Sequence, residues 1–146
     1  MKSPAEFRIA RVRETTAPAS DMDTPEKCAI YWREHVAKDF DPMKEHLVVL
    51  LLNAKLRLMG HVLVSMGALS ETLAHPREVL RPCIISAAYA FVLMHNHPSG
   101  DATPSDADRR LTMRMKEAGE LMQVRLMDHV IVGDATRFSF RECGLL

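Results

Sequence analysis

The sequence has no excess of charge, no long apolar run and no paired cysteines, and each lack narrows its class. Lys and Arg together number 19, and Asp and Glu together also number 19. A balanced chain has no global field to draw nucleic acid or an anionic membrane to itself, so only local patches remain for that purpose. No apolar stretch approaches the length of a bilayer span, and the opening MKSPAEFRIARVRE carries charges where a secretory signal needs an apolar core. These features read as a cytoplasmic protein without membrane association. Cys28, Cys83 and Cys143 are odd in number and widely separated, which suits neither a disulfide framework nor a paired-cysteine zinc site. They read as reduced thiols. Internal repeats and low-complexity tracts are also missing.

What is present suffices for one folded unit: 146 residues, 47% of them hydrophobic, fall within the usual size of a single domain. Residues 1–23 read as an N-terminal extension or linker, because Thr15 to Ser20 are small residues around a proline. Residues 24–146 read as the domain. Thr24-Pro25 opens a helix, with Thr as cap and Pro at the first helical position, and Cys28, Trp32 and Val36 form its apolar stripe. Leu47 to Leu52 has strand length and composition, Asn53 to Lys55 turn the chain, and Leu56 to Met66 returns as the second arm of a hairpin. His75-Pro76 starts another helix, with Leu80, Ile84 and Ala87 or Ala88 on its apolar side. Pro82 inside it predicts a kink or an early restart.

Ala88 to Met94 reads as a strand buried on both faces. Thr103-Pro104 opens the next helix, capped by Thr103, whose buried stripe passes through Leu111, Met115, Ala118 and Met122. Two short strands, Val124 to Met127 and Val130 to Gly133, then close the sheet. Phe138 and Phe140 follow as core or edge residues. The fold class expected is α/β of the α+β kind, a mixed β-sheet flanked by helices.

The most informative stretch is MHNHPSGDATPSDAD, Met94 to Asp108. His95 and His97 are two apart at a strand end, so both side chains leave the same face, with α-carbons roughly 6.5 Å apart. Asp108 stands three residues before Leu111 and seven before Met115, on or beside the buried stripe of the next helix. A buried carboxylate needs a partner, and a cation shared with two imidazoles is the simplest one. Two His nitrogens and one Asp oxygen are ligands zinc accepts, and three protein ligands leave a fourth position open, the catalytic pattern. Ser105, three before Asp108, could donate to an oxyanion forming there. Glu45, at the head of the first strand, is the candidate general base.

With Glu45, His95-Asn96-His97-Pro98, Ser105 and Asp108 in place, the chain resembles the RadC-type branch of the JAMM/MPN metalloprotease family. That family's pattern is a distant Glu, then His-x-His-Pro, seven residues to a Ser, two more and an Asp. HPREVL at 75 to 80, LLN at 51 to 53 and DHVIVG at 128 to 133 belong to the same resemblance, which runs from about Thr24 to the C-terminus. It implies zinc on His95, His97 and Asp108, Glu45 as acid and base, Ser105 steadying the tetrahedral intermediate, and an architecture related to the zinc deaminases. It also implies a short form without the helix-hairpin-helix region that precedes this domain in longer RadC proteins. Asn96, where deubiquitinating members carry Ser or Thr, fits the RadC type and frees the substrate from being a ubiquitin conjugate.

The expected function is therefore a zinc-dependent hydrolase of peptide or isopeptide bonds acting on a protein or peptide substrate. A DNA-associated accessory module is the alternative, prompted by the repair role for which RadC proteins were named and by Arg109, Arg110 and Arg114. A non-catalytic MPN scaffold is the third reading. The hairpin offers an edge strand for pairing into a homodimer. His-Asn-His is too short to be an HNH nuclease signature, and a zinc deaminase needs His-x-Glu with Pro-Cys-x-x-Cys, which is absent after Pro82-Cys83. His75 reads as a cap or packing residue, and Asp128-His129 as turn chemistry, so all three stay outside the site.

Overall fold

The computed structural model describes residues 20–67 and 74–146. Helix α1 spans Pro25–Tyr31, and the Thr24 hydroxyl accepts from the Lys27 amide at its start. The chain then widens into a π-turn, Trp32–Val36, and a 3-10 turn, Ala37–Asp39. Strands β1 (Glu45–Leu52) and β2 (Leu58–Gly67) follow, then α2 (Pro76–Ile85), β3 (Ala90–Asn96), α3 (Asp106–Met122), β4 (Arg125–Val132) and β5 (Arg137–Ser139). The sheet order is β2-β1-β3-β4-β5. β3 and β4 are parallel, joined by α3, and the other neighbours are antiparallel, so the sheet is mixed.

Alternation along each strand divides the core between the two faces. Leu47, Val49, Leu51, Phe91 and Leu93 pack with Val79, Leu80 and Cys83 of α2 and Leu111 and Met115 of α3. Val48, Leu50, Val92, Met94 and Val130 pack on the other side against Cys28, Tyr31, Trp32 and Val36. Helices on both faces account for the near-continuous apolar runs of β1 and β3, as expected from sequence. Glu45 and His95, being odd-numbered, extend the face covered by α2 and α3.

Several local expectations are corrected. Leu56 belongs to the turn, with a left-handed φ of 58°, and β2 begins at Leu58. Chain 20–22 lies along that turn: the Met22 amide donates to the Leu56 carbonyl and the Leu58 amide to the Ser20 carbonyl. The rest of the expected extension, 1–19, lies outside the described residues. Helix α2 runs on through Pro82 to Ile85 without restarting, and buries Val79 and Cys83 rather than Ile84, which is exposed. Met122 is likewise exposed, and Gly119 takes its place in the buried stripe of α3. Among the described residues, no helix is long and apolar enough to cross a membrane. β2 forms one edge of the sheet and exposes Met59, Leu63 and Met66.

The final strands also differ from expectation. Arg125–Val132 is one strand rather than two, and Asp128 and His129 lie buried inside it. A bulge falls where Phe91 pairs with Leu126 but Val92 pairs with Asp128, leaving Met127 as the extra residue. Because side chains alternate, this one-residue insertion turns His129 toward α3 and Asp128 toward α1. The Asp128 carboxylate accepts from the Ser139 hydroxyl and from the backbone amides of His129 and Arg141, which is why a polar pair survives in a buried strand.

Candidate metal centre

The site forms where the last residues of β3 meet the start of α3. His95 ends the buried part of β3, and the chain then turns through His97 to Gly100, whose amide donates to the His97 carbonyl. Gly100 has a φ of 85°, and a Cβ on Gly133 would stand 2.2 Å from the Gly100 carbonyl oxygen. Only glycine permits that approach, which locks the turn against the end of β4. The His97 amide donates to the Val132 carbonyl from the same turn.

Helix α3 begins two residues later than expected. Ser105, not Thr103, is the N-cap: its hydroxyl accepts from the Asp108 amide at 3.1 Å, while the Asp108 carboxylate accepts from the Ser105 amide at 2.8 Å. This reciprocal capping box outcompetes the alternative start at Thr103, whose hydroxyl donates to Asp101 instead. The box holds the carboxylate with Oδ1 toward His95 and with Oδ2, the oxygen that accepts from the Ser105 amide, toward His97.

His95, His97 and Asp108 converge. His95 Nε2 lies 3.0 Å from His97 Nε2 and 3.2 Å from Asp108 Oδ1, and His97 Nε2 lies 3.2 Å from Asp108 Oδ2. Ligands about 2.0–2.1 Å from a tetrahedral zinc stand about 3.3 Å from one another, so these separations fit the edges of such a polyhedron. The protons agree. His97 Nδ1 lies 2.7 Å from the Asp101 carbonyl, which only accepts, so Nδ1 carries the hydrogen and Nε2 presents a lone pair to Asp108. A carboxylate and ring lone pairs brought this close require either a shared cation or a proton on a ring.

The acid-base balance reflects that requirement. The Asp108 carboxylate, as an acceptor for the ring, raises the proton affinity of His97, helped by the Asp101 carbonyl and by the charge of Glu45, against the opposing effect of burial. Burial works against ionisation of Asp108, yet the bonds from His95 and His97 outweigh it and hold the carboxyl well below the usual range. Metal cations compete for these same positions.

Glu45 reaches the site through strand register. β1 pairs antiparallel with β3, Leu47 opposite His95, so Glu45 is carried toward His97. Asn96 pins both sides of it: its Oδ1 accepts from the His46 amide at 2.8 Å and its Nδ2 donates to the Lys44 carbonyl at 2.9 Å. Sequence reasoning read Asn96 only as a mark of family type. Ser105 is exposed at the helix start, with its hydroxyl hydrogen still available after accepting from Asp108. A cleft of about 240 Å³ opens beside His97, between Arg33, Phe40 and Pro42 on one side and Asn96 and Pro98 on the other. Arg109 and Arg110 are exposed, while Arg114 is half-buried.

His129 was missed. Its Nε2 lies 2.8 Å from His95 Nδ1 and its Nδ1 lies 2.6 Å from the Thr112 hydroxyl, both within the core behind the candidate ligands. Its place in DHVIVG is the sequence signal, one that turn chemistry explains equally well.

A family model described as the RadC-like JAB domain matches residues 22–145. The chain belongs to that family. Three of its relatives are UPF0758 proteins. Those of Chlorobaculum parvum and Pelodictyon phaeoclathratiforme are 49% identical over 106 residues, 73% of this chain and 48% of theirs. That of Pelobacter propionicus is 47% identical over the same length, 46% of its own chain. The matched stretch therefore spans about half the length of these RadC-like relatives. In this RadC-like domain, the mixed sheet with His95, His97 and Asp108 gathered at its end is the arrangement that the sequence resemblance implied.

Proposed function

We propose that this RadC-like domain is a zinc-dependent hydrolase of peptide or isopeptide bonds. The observation that carries the reading is the convergence of His95, His97 and Asp108, with ligand atoms all within 4.8 Å of one another. His and Asp in a set of three match zinc in a catalytic role, and the two histidines make an all-oxygen ion such as calcium a poor fit. Zinc, when bound, supplies Lewis acidity toward a carbonyl and makes water a stronger acid.

The chain's own residues do the rest. Glu45 takes a proton from the attacking water and returns it to the leaving amine, from a position that Asn96 holds beside His97. Ser105 directs its hydroxyl hydrogen to the oxygen of the tetrahedral intermediate while its lone pair stays on the Asp108 amide. The cleft beside His97 offers a place for the chain being cut.

Metal content measured by mass spectrometry on untagged protein tests the foundation. Close to one equivalent of zinc, lost in both His97→Ala and Asp108→Ala, supports the site. No uptake after zinc is added would leave the histidines with a folding role and give the scaffold reading precedence.

A further inference from the structure

Two buried polar side chains behind the candidate ligands have no part in the proposed reaction. Thr112 and His129 are both fully buried, and they connect in series with His95. Their hydrogens follow by elimination. The Thr112 hydroxyl lies 2.7 Å from the Asp108 carbonyl oxygen, which can only accept, so the one hydroxyl hydrogen belongs there. The 2.6 Å contact to His129 Nδ1 must then be supplied by the ring, which makes Nδ1 the protonated nitrogen of His129. Its Nε2 is left as an acceptor. His95 Nδ1, 2.8 Å away, therefore donates to it, and His95 Nε2 is left with its lone pair facing His97 and Asp108.

We propose that Thr112 and His129 act as positioning residues that hold His95 in the tautomer protonated at Nδ1, so that Nε2 is ready for a metal cation. The proposal rests on the metal-centre reading above. Turning the Thr112 hydroxyl toward His129 would reverse every link. It would leave the 2.7 Å oxygen pair of Thr112 and Asp108 without a hydrogen, and it would put a proton on His95 Nε2, in the position a cation needs. With a cation among the three ligand atoms the first setting satisfies every contact, and the second does not.

The surroundings reinforce it. The His129 ring stacks on Phe140 with a 9° interplanar angle and centroids 4.9 Å apart, which fixes its plane. The path is closed: it starts on the Asp108 main chain and ends on the nitrogen that faces the Asp108 carboxylate. Outer partners of this kind orient metal-binding histidines in general.

The test uses the full chain, loaded with zinc and stripped of it, in unmodified form and as Thr112→Val and Thr112→Ser. Zinc affinity is measured by competition with a coloured chelator, histidine tautomers by nitrogen-15 correlation spectra, and folding by thermal melting. We expect His129 protonated at Nδ1 in the loaded protein, affinity about 10–100-fold weaker in Thr112→Val, and recovery in Thr112→Ser. A merely structural Thr112 would lower the melting temperature of the Val variant and leave its zinc affinity unchanged, which would overturn the relay while the metal centre stands. His129 protonated at Nε2 in the loaded protein would overturn it as well, and that spectrum decides alone if Thr112→Val does not fold. An unmodified protein that takes up no zinc removes the metal-centre reading and the relay with it.

Discussion

Leu47 of β1 stands opposite His95 of β3, and this single pairing brings Glu45, two residues upstream, to the end of the sheet where His97 lies. Glu45→Gln keeps the shape of the side chain and removes its ability to take a proton. Zinc content should be unchanged, while peptide hydrolysis falls by about 10²–10⁴-fold, the range for loss of a general base. A Gln variant that turns over at the unmodified rate would remove Glu45 from the mechanism.

The oxyanion role proposed for Ser105 can be separated from its observed capping of α3. Ser105→Ala removes the cap and should destabilise the protein by about 1 kcal/mol in urea unfolding. Ser105→Asn keeps a capping oxygen for the Asp108 amide, so its stability should return close to that of the unmodified chain. If hydrolysis stays low in the Asn variant, the hydroxyl contributes to the reaction itself; full recovery would reduce Ser105 to a cap.

The raised proton affinity of His97 and the lowered one of Asp108 set a signed pH dependence for zinc-free protein. The His97 contribution is complete below the ordinary histidine value of about 6.5 and is lost as pH rises through its higher folded value. The Asp108 contribution is complete above about pH 3.9 and is lost as pH falls toward its lower folded value. Urea stability with chelator present should therefore be greater at mildly acidic pH than in mild alkali. Zinc should abolish that decline, because a cation takes the place of the proton and binds better as pH rises. Zinc-free protein equally stable on both sides of neutrality would contradict the His97–Asp108 coupling.

Much of this arrangement could be read before folding was considered, for reasons that are local. Thr24-Pro25 carries its own start signal, and the HNHP stretch with Ser105 and Asp108 states its chemistry within a few turns of chain. The misreadings share a cause. Thr103 and Ser105 flank the same proline, and the choice between them depended on the Ser105–Asp108 capping box rather than on Pro104. Asp128 and His129 look like a turn until Ser139, Arg141, His95 and Thr112 are brought to them by the sheet and α3. Partners supplied by distant segments leave no trace in a local pattern.

Thiol chemistry gives an independent check of the packing. Burial pushes the Cys28 and Cys83 thiols up to about 12, whereas Cys143 is exposed. The reactive form is the thiolate, so a disulfide reagent at neutral pH should modify one cysteine promptly and the other two only after denaturation. Rapid reaction of Cys28 in native protein would mean that α1 does not cover its face of the sheet as described.

The extra residue at Met127 makes the length of β4 matter as much as its composition. Loss of Met127 alone would close the bulge and leave Asp128 opposite Val92 and His129 opposite Leu93, on the faces they now occupy. Loss of one residue more would exchange inward and outward positions along the remainder of the strand and turn His129 away from His95. Descendants of this sequence are therefore free to shorten that segment by one residue but not by two.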